Sequence, residues 1–295
     1  AGQLELNVMM PLIAHNTLDG FGYMRSDSSY TNNISLLSSS VTHNGRYGLN
    51  DLNSVSYRRS LLTCDGSNSW GNTGGNWNNL QFQVNNCYSA NPLYADAAAR
   101  NYEPTVYSPN RGLGRNGTYV GAITHKGAIG PQIEGWIWEN LTLTLAGSPY
   151  TVLGDLVVTK NVPLAVEPGV VLKVVPNADG MGTGNAANRV EIVVESLGSL
   201  LTDGSGAPVK IVVDHGQPTP GMWSGLTLKD SRSSRLDNLL IEYPSYGLLV
   251  TGPGVPIIED VTIKHHNSTG IEVRDATAAP AIDLLGVQVI GAGRG

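Results

Sequence analysis

Short apolar runs of three to five residues alternate with corners of Gly, Asn, Pro and Ser along most of the chain. Three segments show the pattern clearly: LDNLLIEYPSYGLLV, IIEDVTIKHHNSTGIEV and AIDLLGVQVIGAG. Aligning Leu236 with Ile258 and then with Ile282 gives offsets of 22 and 24 residues. Aligning Gly247 with Gly270 gives an offset of 23 residues. The chain therefore carries a degenerate repeat of about two dozen residues.

A repeat unit of this length cannot bury its own apolar face, so successive units must stack on one another. Stacking in one sense places equivalent strands in parallel, about 4.8 Å apart, and turns alternate side chains inward into aliphatic ladders. Residues 41–49, VTHNGRYGL, repeat the order of polar corner, glycine and strand seen near the C-terminus. The pattern predicts an all-β protein, a right-handed parallel β-helix or solenoid.

Composition agrees with a turn-rich β protein and excludes some partners. The 295 residues include 36 glycines and 12 tyrosines, and we find no amphipathic helix of useful length. Only 14% of residues are charged and the net charge is −6, which argues against a basic surface for nucleic acid. No apolar run approaches the roughly 20 residues of a membrane-spanning helix, so no membrane span is expected in this chain.

Two segments resemble a known family. From residue 91 the chain reads NPLYADAAARNYEPTVYSPNRGLGRNGTYVGAI, which resembles the closing segment of secreted pectin-lyase-like β-helix proteins. From residue 150 it reads YTVLGDLVVTKNVPLAVEPGVVLKV, which resembles the opening of a second such helix. The motif positions of the first segment are Asn91, Pro92, Leu93, Tyr94, Asp96, Asn101, Tyr102, Ser108, Pro109, Gly121 and Ala122.

The resemblance implies two consecutive modules. Residues 1–125 are expected to form the C-terminal part of a first β-helix module, residues 126–149 the join, and residues 150–295 the N-terminal part of a second. Glycines and a proline interrupt the strand pattern of the join. The last residues show no cap signal, so we expect a segment of a longer, multi-module protein or an open end that abuts a neighbour.

The family includes polysaccharide lyases and glycoside hydrolases, which need convergent carboxylates, with calcium and a basic residue in the lyases. No convergent cluster stands out, so we assign no catalytic or metal-binding residue, and calcium stays possible without a clear site. Six charged positions could form an outward stripe, or could be the ordinary polar face of a solenoid: Lys173, Glu191, Glu195, Lys210, Asp214 and Lys229.

Three aspartates and two histidines are candidates for a polar functional site. Asp237, Asp260 and Asp283 recur at nearly the same phase, so they could form a carboxylate ladder, although hydrogen bonding to the corner backbone is the preferred interpretation. His265 and His266 follow a strand directly, and adjacent side chains of an extended chain point to opposite faces. We therefore expect a solvated corner and no shared metal ion.

A glycine- and asparagine-rich stretch runs from Cys64 to Cys87. Its tryptophans, Trp70 and Trp77, could stack on sugar rings, or could fold back onto the body of the helix. The two cysteines favour a disulfide, which would fit an oxidising compartment, and two free buried thiols are the alternative.

The expected function is a non-enzymatic structural or adhesive β-solenoid segment of a larger secreted or cell-surface protein. The alternatives are a carbohydrate-active lyase or hydrolase and a self-assembling fibre subunit. The expected partners are glycans or cell-surface proteins, with end-to-end self-association as a further possibility. No organic cofactor is expected.

Overall fold

The structure is a computed structural model that describes residues 3–23, 31–52, 61–78, 83–122, 130–181, 186, 188–274 and 282–291. The chain is an all-β protein with parallel sheets. It divides into two compact units, unit 1 (Ala1–Ala128) and unit 2 (Ile129–Gly295). In the described segments the helices are short 3-10 turns at Pro109–Arg111, Arg115–Gly117 and Leu145–Gly147.

Unit 1 is built from short strands separated by tight corners. In chain order they are β1 (Gln3–Met9), β2 (Leu12–Ala14), β3 (Phe21–Tyr23), β4 (Thr31–Leu37), β5 (Ser40–Thr42), β6 (Tyr47–Asp51), β7 (Leu61–Asp65), β8 (Asn68–Trp70), β9 (Gly75–Asn78), β10 (Gln83–Asn85), β11 (Tyr94–Asp96) and β12 (Asn101–Pro104). Three of its sheets are parallel, in the orders β1-β4-β7-β10, β2-β5-β8 and β3-β6-β9, and β11 and β12 form an antiparallel pair.

The parallel sheets of unit 1 share one period. Val41 of β5 lies opposite Ile13 of β2 and Ser69 of β8. Each step is 28 residues, as it is between Asn16 and Asn44. Only at β10 does the step change, because Thr63 pairs with Gln83. The repeat in unit 1 is therefore longer than the two dozen residues inferred from the C-terminal segments.

Unit 2 contains the remaining strands. They are β13 (Gln132–Ile137), β14 (Leu141–Leu143), β15 (Tyr150–Val158), β16 (Pro163–Val166), β17 (Val171–Val174), β18 (Glu191–Val194), β19 (Ser199–Thr202), β20 (Val209–Val213), β21 (Gly225–Lys229), β22 (Arg235–Glu242), β23 (Leu248–Thr251), β24 (Ile257–Lys264), β25 (Ile271–Arg274), β26 (Leu284–Leu285) and β27 (Gln288–Ile290). All pair in parallel within one large sheet. β13 and β14, which lie in the predicted join, pair with β15 and β16.

Aliphatic side chains stack in ladders in unit 2. One ladder runs from Leu156 through Ile192 and Leu226 to Leu248, each directly opposite the next and at most 2% exposed. Burying each such side chain contributes about 1.5–3 kcal/mol. This burial is available only when neighbouring repeats stack, which is why the apolar alternation in the sequence produces parallel pairing.

Two of the three repeat offsets are confirmed. Leu236 lies opposite Ile258, 22 residues later, and Leu248 lies opposite Ile271, 23 residues later. The alignment of Ile258 with Ile282 is wrong, because Ile258 pairs with Leu284, 26 residues later. The register is set by β26, which begins at Leu284, and Ile282 lies before that strand.

Candidate binding surface

A stack of corner residues lies at the end of β2, β5 and β8. His15, His43 and Gly71 follow these strands, and all three have a left-handed backbone, with φ of 53°, 54° and 64°. We call this set the histidine stack. The imidazole rings of His15 and His43 are parallel, with centroids 5.6 Å apart and 5° between their planes. Strand pairing thus brings two imidazole rings face to face.

A hairpin adds tyrosines to the histidine stack. β11 and β12 supply Tyr94 and Tyr102, whose rings meet edge to face at 5.4 Å. The Tyr94 ring lies 6.4 Å from His43, and the Tyr102 ring lies 5.8 Å from His15. His15 Nε2 is also 3.2 Å from the Ala97 carbonyl oxygen. Two distant segments therefore build one aromatic surface.

Buried hydrogen bonds hold the hairpin against β5. Ser40 Oγ is 2.6 Å from the Tyr94 hydroxyl and accepts from Asn110 Nδ2 at 3.2 Å. Asn68 Nδ2 in turn donates to Asn110 Oδ1 at 2.9 Å. Burial raises the pKa of Tyr94, so its hydroxyl stays protonated. Because Ser40 and Val41 are adjacent in β5 and Val41 lies in the core, the hairpin covers the outer face of that sheet.

The surroundings of His43 alter the titration of its imidazole ring. Burial, followed by the charge that His15 can carry, lowers the pKa of His43 below its usual value. Its Nδ1 atom is buried and has no hydrogen-bond partner among the residues that the structure describes. A buried N–H without an acceptor would be costly, so the neutral ring carries its proton on Nε2.

The two predicted tryptophans have different environments. Trp77 of β9 lies opposite Leu49 and packs against the core cluster of Leu36, Val41, Leu49 and Cys64. Of the two alternatives for Trp77, the structure has the one in which the ring folds back onto the body. Trp70 of β8 is half-buried and lies opposite Thr42. Its neighbour Ser69 lies opposite core residue Val41, so the Trp70 side chain is on the outer face.

Cys64 and Cys87 lie together. Their sulfur atoms are 2.7 Å apart, with Cys64 fully buried in the core of unit 1. Both are free thiols in this structure. Contact with Cys87, reinforced by burial, raises the pKa of Cys64, whereas contact with Cys64 lowers the pKa of Cys87. The two sulfur atoms are close enough for oxidation to join them as a disulfide.

The charged stripe predicted in unit 2 is largely paired. Lys173 Nζ is 3.3 Å from Asp214 Oδ1, and Lys229 Nζ is 2.9 Å from Glu195 Oε1. These four side chains are partly exposed. The expectation that Glu191 points to solvent is wrong, because only 2% of it is exposed. All four residues of β18 are buried, so this strand lacks the expected alternation of buried and exposed side chains.

The aspartate ladder, which was the alternative to corner hydrogen bonding, does not form. Asp237 lies opposite Glu259, and Arg235 Nη2 contacts both carboxylates. Asp260 has a left-handed backbone, with φ of 50°, and Asp283 precedes β26. The guanidinium group of Arg235 therefore neutralises the Asp237 and Glu259 carboxylates. The repeat aligned Asp237 with Asp260, so it did not predict this pair.

The two adjacent histidines differ in exposure. His265 is exposed and stacks on Tyr243, with ring centroids 4.6 Å apart. His266 is only 1% exposed, so the prediction of a solvated corner is wrong for this residue. β24 ends at Lys264 and His265 has a left-handed backbone, with φ of 58°, so the chain turns between the exposed and the buried histidine.

In the described segments, no group of three or more His, Cys, Asp or Glu residues is placed to hold a metal ion. No helix in the described part of the chain has the length and hydrophobicity that crossing a membrane requires.

No protein-family model, no curated protein and no solved structure matches the chain. Its class is therefore defined by fold and surface: an all-β protein of parallel sheets that carries a histidine and tyrosine cluster on an outer sheet face.

Proposed function

We propose that the chain is a non-enzymatic structural or adhesive segment of a larger secreted or cell-surface protein. In this proposal each unit is a right-handed parallel β-helix related to the pectin-lyase-like proteins. The observation that carries it is the stacking of equivalent residues at a constant step, as when Asn16, Asn44 and Asn72 follow one another 28 residues apart. Such stacking makes a stiff scaffold on which loops and side chains are displayed at regular intervals.

Two further observations support the proposal, one for the scaffold and one for a location outside the cytoplasm. The outward charges of unit 2 pair with each other, Lys173 with Asp214 and Lys229 with Glu195, and this favours a solvated face over convergent catalysis. The adjacent thiols of Cys64 and Cys87 suit an oxidising compartment.

The test is incubation with acidic and neutral polysaccharides, with and without calcium, measuring both product release and pull-down. We expect retention on a glycan, or on a cell-surface protein in a parallel pull-down, without release of oligosaccharides. Release from any polysaccharide would contradict the non-enzymatic proposal. The variant Lys173→Gln with Asp214→Asn should leave retention unchanged, because that ion pair belongs to the solvated face.

A second candidate is a carbohydrate-active enzyme. Burial, followed by the charge of Asp179, raises the pKa of Glu134, a property of general acids in glycoside hydrolases. If any product is released, Glu134→Gln should abolish it while Asp214→Asn should not. Product release that Glu134→Gln leaves unchanged would rule out this residue as the acid.

A third candidate is a self-assembling subunit. Large apolar side chains are exposed on outer strands of each unit: Leu6 and Met9 on β1, and Leu284, Leu285 and Ile290 on β26 and β27. Strand edges of this kind can pair with another copy. Light scattering that stays at monomer size over a hundredfold range of concentration would exclude self-association.

A further inference from the structure

The third position of the histidine stack has no ring. His15 lies against one face of His43, and β8, on the other side of β5, ends at Gly71. Gly71 is exposed, and a Cβ atom added there would lie 3.5 Å from Cδ2 and Nε2 of the His43 ring. Glycine at this corner therefore places no side chain of its own against the His43 ring.

A neighbouring corner stack shows that the fold can close such a position. Met10, Ser38 and Gly66 also recur at a left-handed backbone. A Cβ atom at Gly66 would lie 2.2 Å from the backbone nitrogen of Arg115, so this third position is filled by the chain itself. The open side of Gly71 is thus specific to the histidine stack.

Aromatic side chains flank this opening. Trp70 precedes Gly71 and presents its ring on the outer face of β8, and the Tyr94 ring is tilted against His43 at 45°. The Nε2 atom of His43 is among the ring atoms nearest to a Cβ position at Gly71. We call His43, Trp70, Gly71 and Tyr94 together the ring slot.

We propose that the ring slot binds the pyranose ring of a neutral glycan, which takes the place that a third imidazole ring would occupy. The apolar C–H face of a pyranose matches the face of an aromatic ring, and a hydroxyl oxygen can accept from His43 Nε2–H. The residues that define the slot carry no fixed charge at neutral pH, which favours a neutral sugar over an acidic one. This inference rests on the adhesive form of the proposed function and assigns it a ligand class and a site.

The test uses cellohexaose, xylohexaose and mannohexaose as probes, titrated calorimetrically into the whole chain. Gly71→His should weaken binding of the best probe at least tenfold, because the new ring fills the slot. The backbone tolerates this change, since His15 and His43 already adopt the same conformation. Gly117→His is the matched control, at an exposed glycine with φ of 75° and no neighbour within 4 Å.

Two further measurements make the result independent of folding. Trp70→Ala removes a wall of the slot and should also weaken binding at least tenfold. In NMR spectra of the parent chain, the His43 ring protons should shift on addition of the probe, whereas those of His265 in unit 2 should not.

The outcomes separate the site from the general function. Equal affinity in Gly71→His and the parent would overturn the slot while leaving adhesion in place. Failure of all three probes to bind would overturn the slot but not the scaffold proposal. Binding of an aromatic peptide in place of the sugars would also overturn the glycan assignment, and release of shorter oligosaccharides would instead contradict the non-enzymatic function.

Discussion

Single residues at the corners of unit 1 combine an unfavourable backbone with favourable side-chain contacts. A left-handed backbone costs a residue other than glycine roughly 1–2 kcal/mol. His15 and His43 both adopt it, and each gains a ring contact from the other. Corner positions therefore tolerate side chains other than glycine where the next repeat provides a partner.

The lowered pKa of His43 predicts a pH-dependent stability for unit 1. The unfolded chain binds a proton on this ring near pH 6.5, but the folded chain binds it only at lower pH. The contribution of neutral His43 to the free energy of unfolding is therefore fully present above pH 6.5, and it is lost as the pH falls toward the lowered pKa. Thermal melts between pH 8 and 5 should show this decline, and His43→Gln should reduce it. An unchanged slope in His43→Gln would contradict the prediction.

Asp19 should contribute strongly to the stability of unit 1. Its carboxylate accepts from Arg46 Nε at 2.8 Å, Asn50 Nδ2 at 2.8 Å and the Tyr47 backbone N–H at 3.2 Å. These bonds, led by Arg46, lower the pKa of Asp19 to about 2. Asp19→Asn should lower the free energy of unfolding by about 1–3 kcal/mol at pH 7.

This loss should shrink as the pH falls below 3.8 toward about 2, because protonation removes the same interactions from the parent. Asp214→Asn breaks an exposed ion pair and should change the free energy of unfolding by less than about 1 kcal/mol. Chemical denaturation at pH 7 and at about pH 2.5, inside the window between the two pKa values, measures both variants. Equal effects of the two substitutions at pH 7 would show that the Asp19 network is not stabilising.

At the scale of the element, a ladder of asparagines connects successive repeats of unit 1. Asn16 donates through its backbone N–H and its Nδ2 atom to Asn44 Oδ1, at 3.1 and 2.9 Å. Asn44 donates in the same way to Asn72 Oδ1, at 3.0 and 2.8 Å. Each side-chain oxygen thus accepts hydrogen bonds from the equivalent asparagine of the preceding repeat, and these bonds fix the register between the two corners.

Asn44→Ala should be one of the more destabilising substitutions in unit 1. Asn44 is fully buried, and its loss removes the acceptor of two Asn16 donors and the side-chain bond that Asn44 donates to Asn72 Oδ1. We expect a loss of roughly 2–4 kcal/mol in the free energy of unfolding. Asn78→Ala is the control, because Asn78 is half-buried and, among the described residues, its side chain donates one bond, to Asn50 Oδ1. Comparable losses in urea denaturation would contradict the importance of the ladder.

The thiol pair should be a disulfide in the protein from an oxidising compartment. The bond would join residues separated by 23 positions and stabilise unit 1 by about 3 kcal/mol. Thiol titration under denaturing conditions should find no free cysteine, and the Cys64→Ser, Cys87→Ser variant should melt at lower temperature than the untreated parent. Two titratable thiols in secreted material would overturn this prediction.

At the scale of the molecule, each unit has its own buried core. Leu36 and Leu49 are buried in unit 1, whereas Leu156 and Leu226 belong to a ladder of unit 2. A core that is internal to one unit is expected to unfold with that unit.

We therefore predict two calorimetric transitions. Asn44→Ala should lower the temperature of the unit 1 transition, and Leu226→Ala should lower that of the unit 2 transition. For Leu226→Ala we expect a loss of about 3–5 kcal/mol in the free energy of unfolding, because the cavity lies in a packed ladder. A single transition that both variants shift equally would show that the units unfold together.

The sequence by itself determined the β class, the parallel pairing and two repeat offsets, because alternation and corner residues are encoded locally. Only the tertiary structure decided which outward side chains are covered. The burial of Glu191 and His266, the core position of Trp77 and the meeting of His43 with Tyr94 all depend on segments distant in sequence. A shift of one residue in any strand would turn these side chains to the other face, so local pattern alone could not place them.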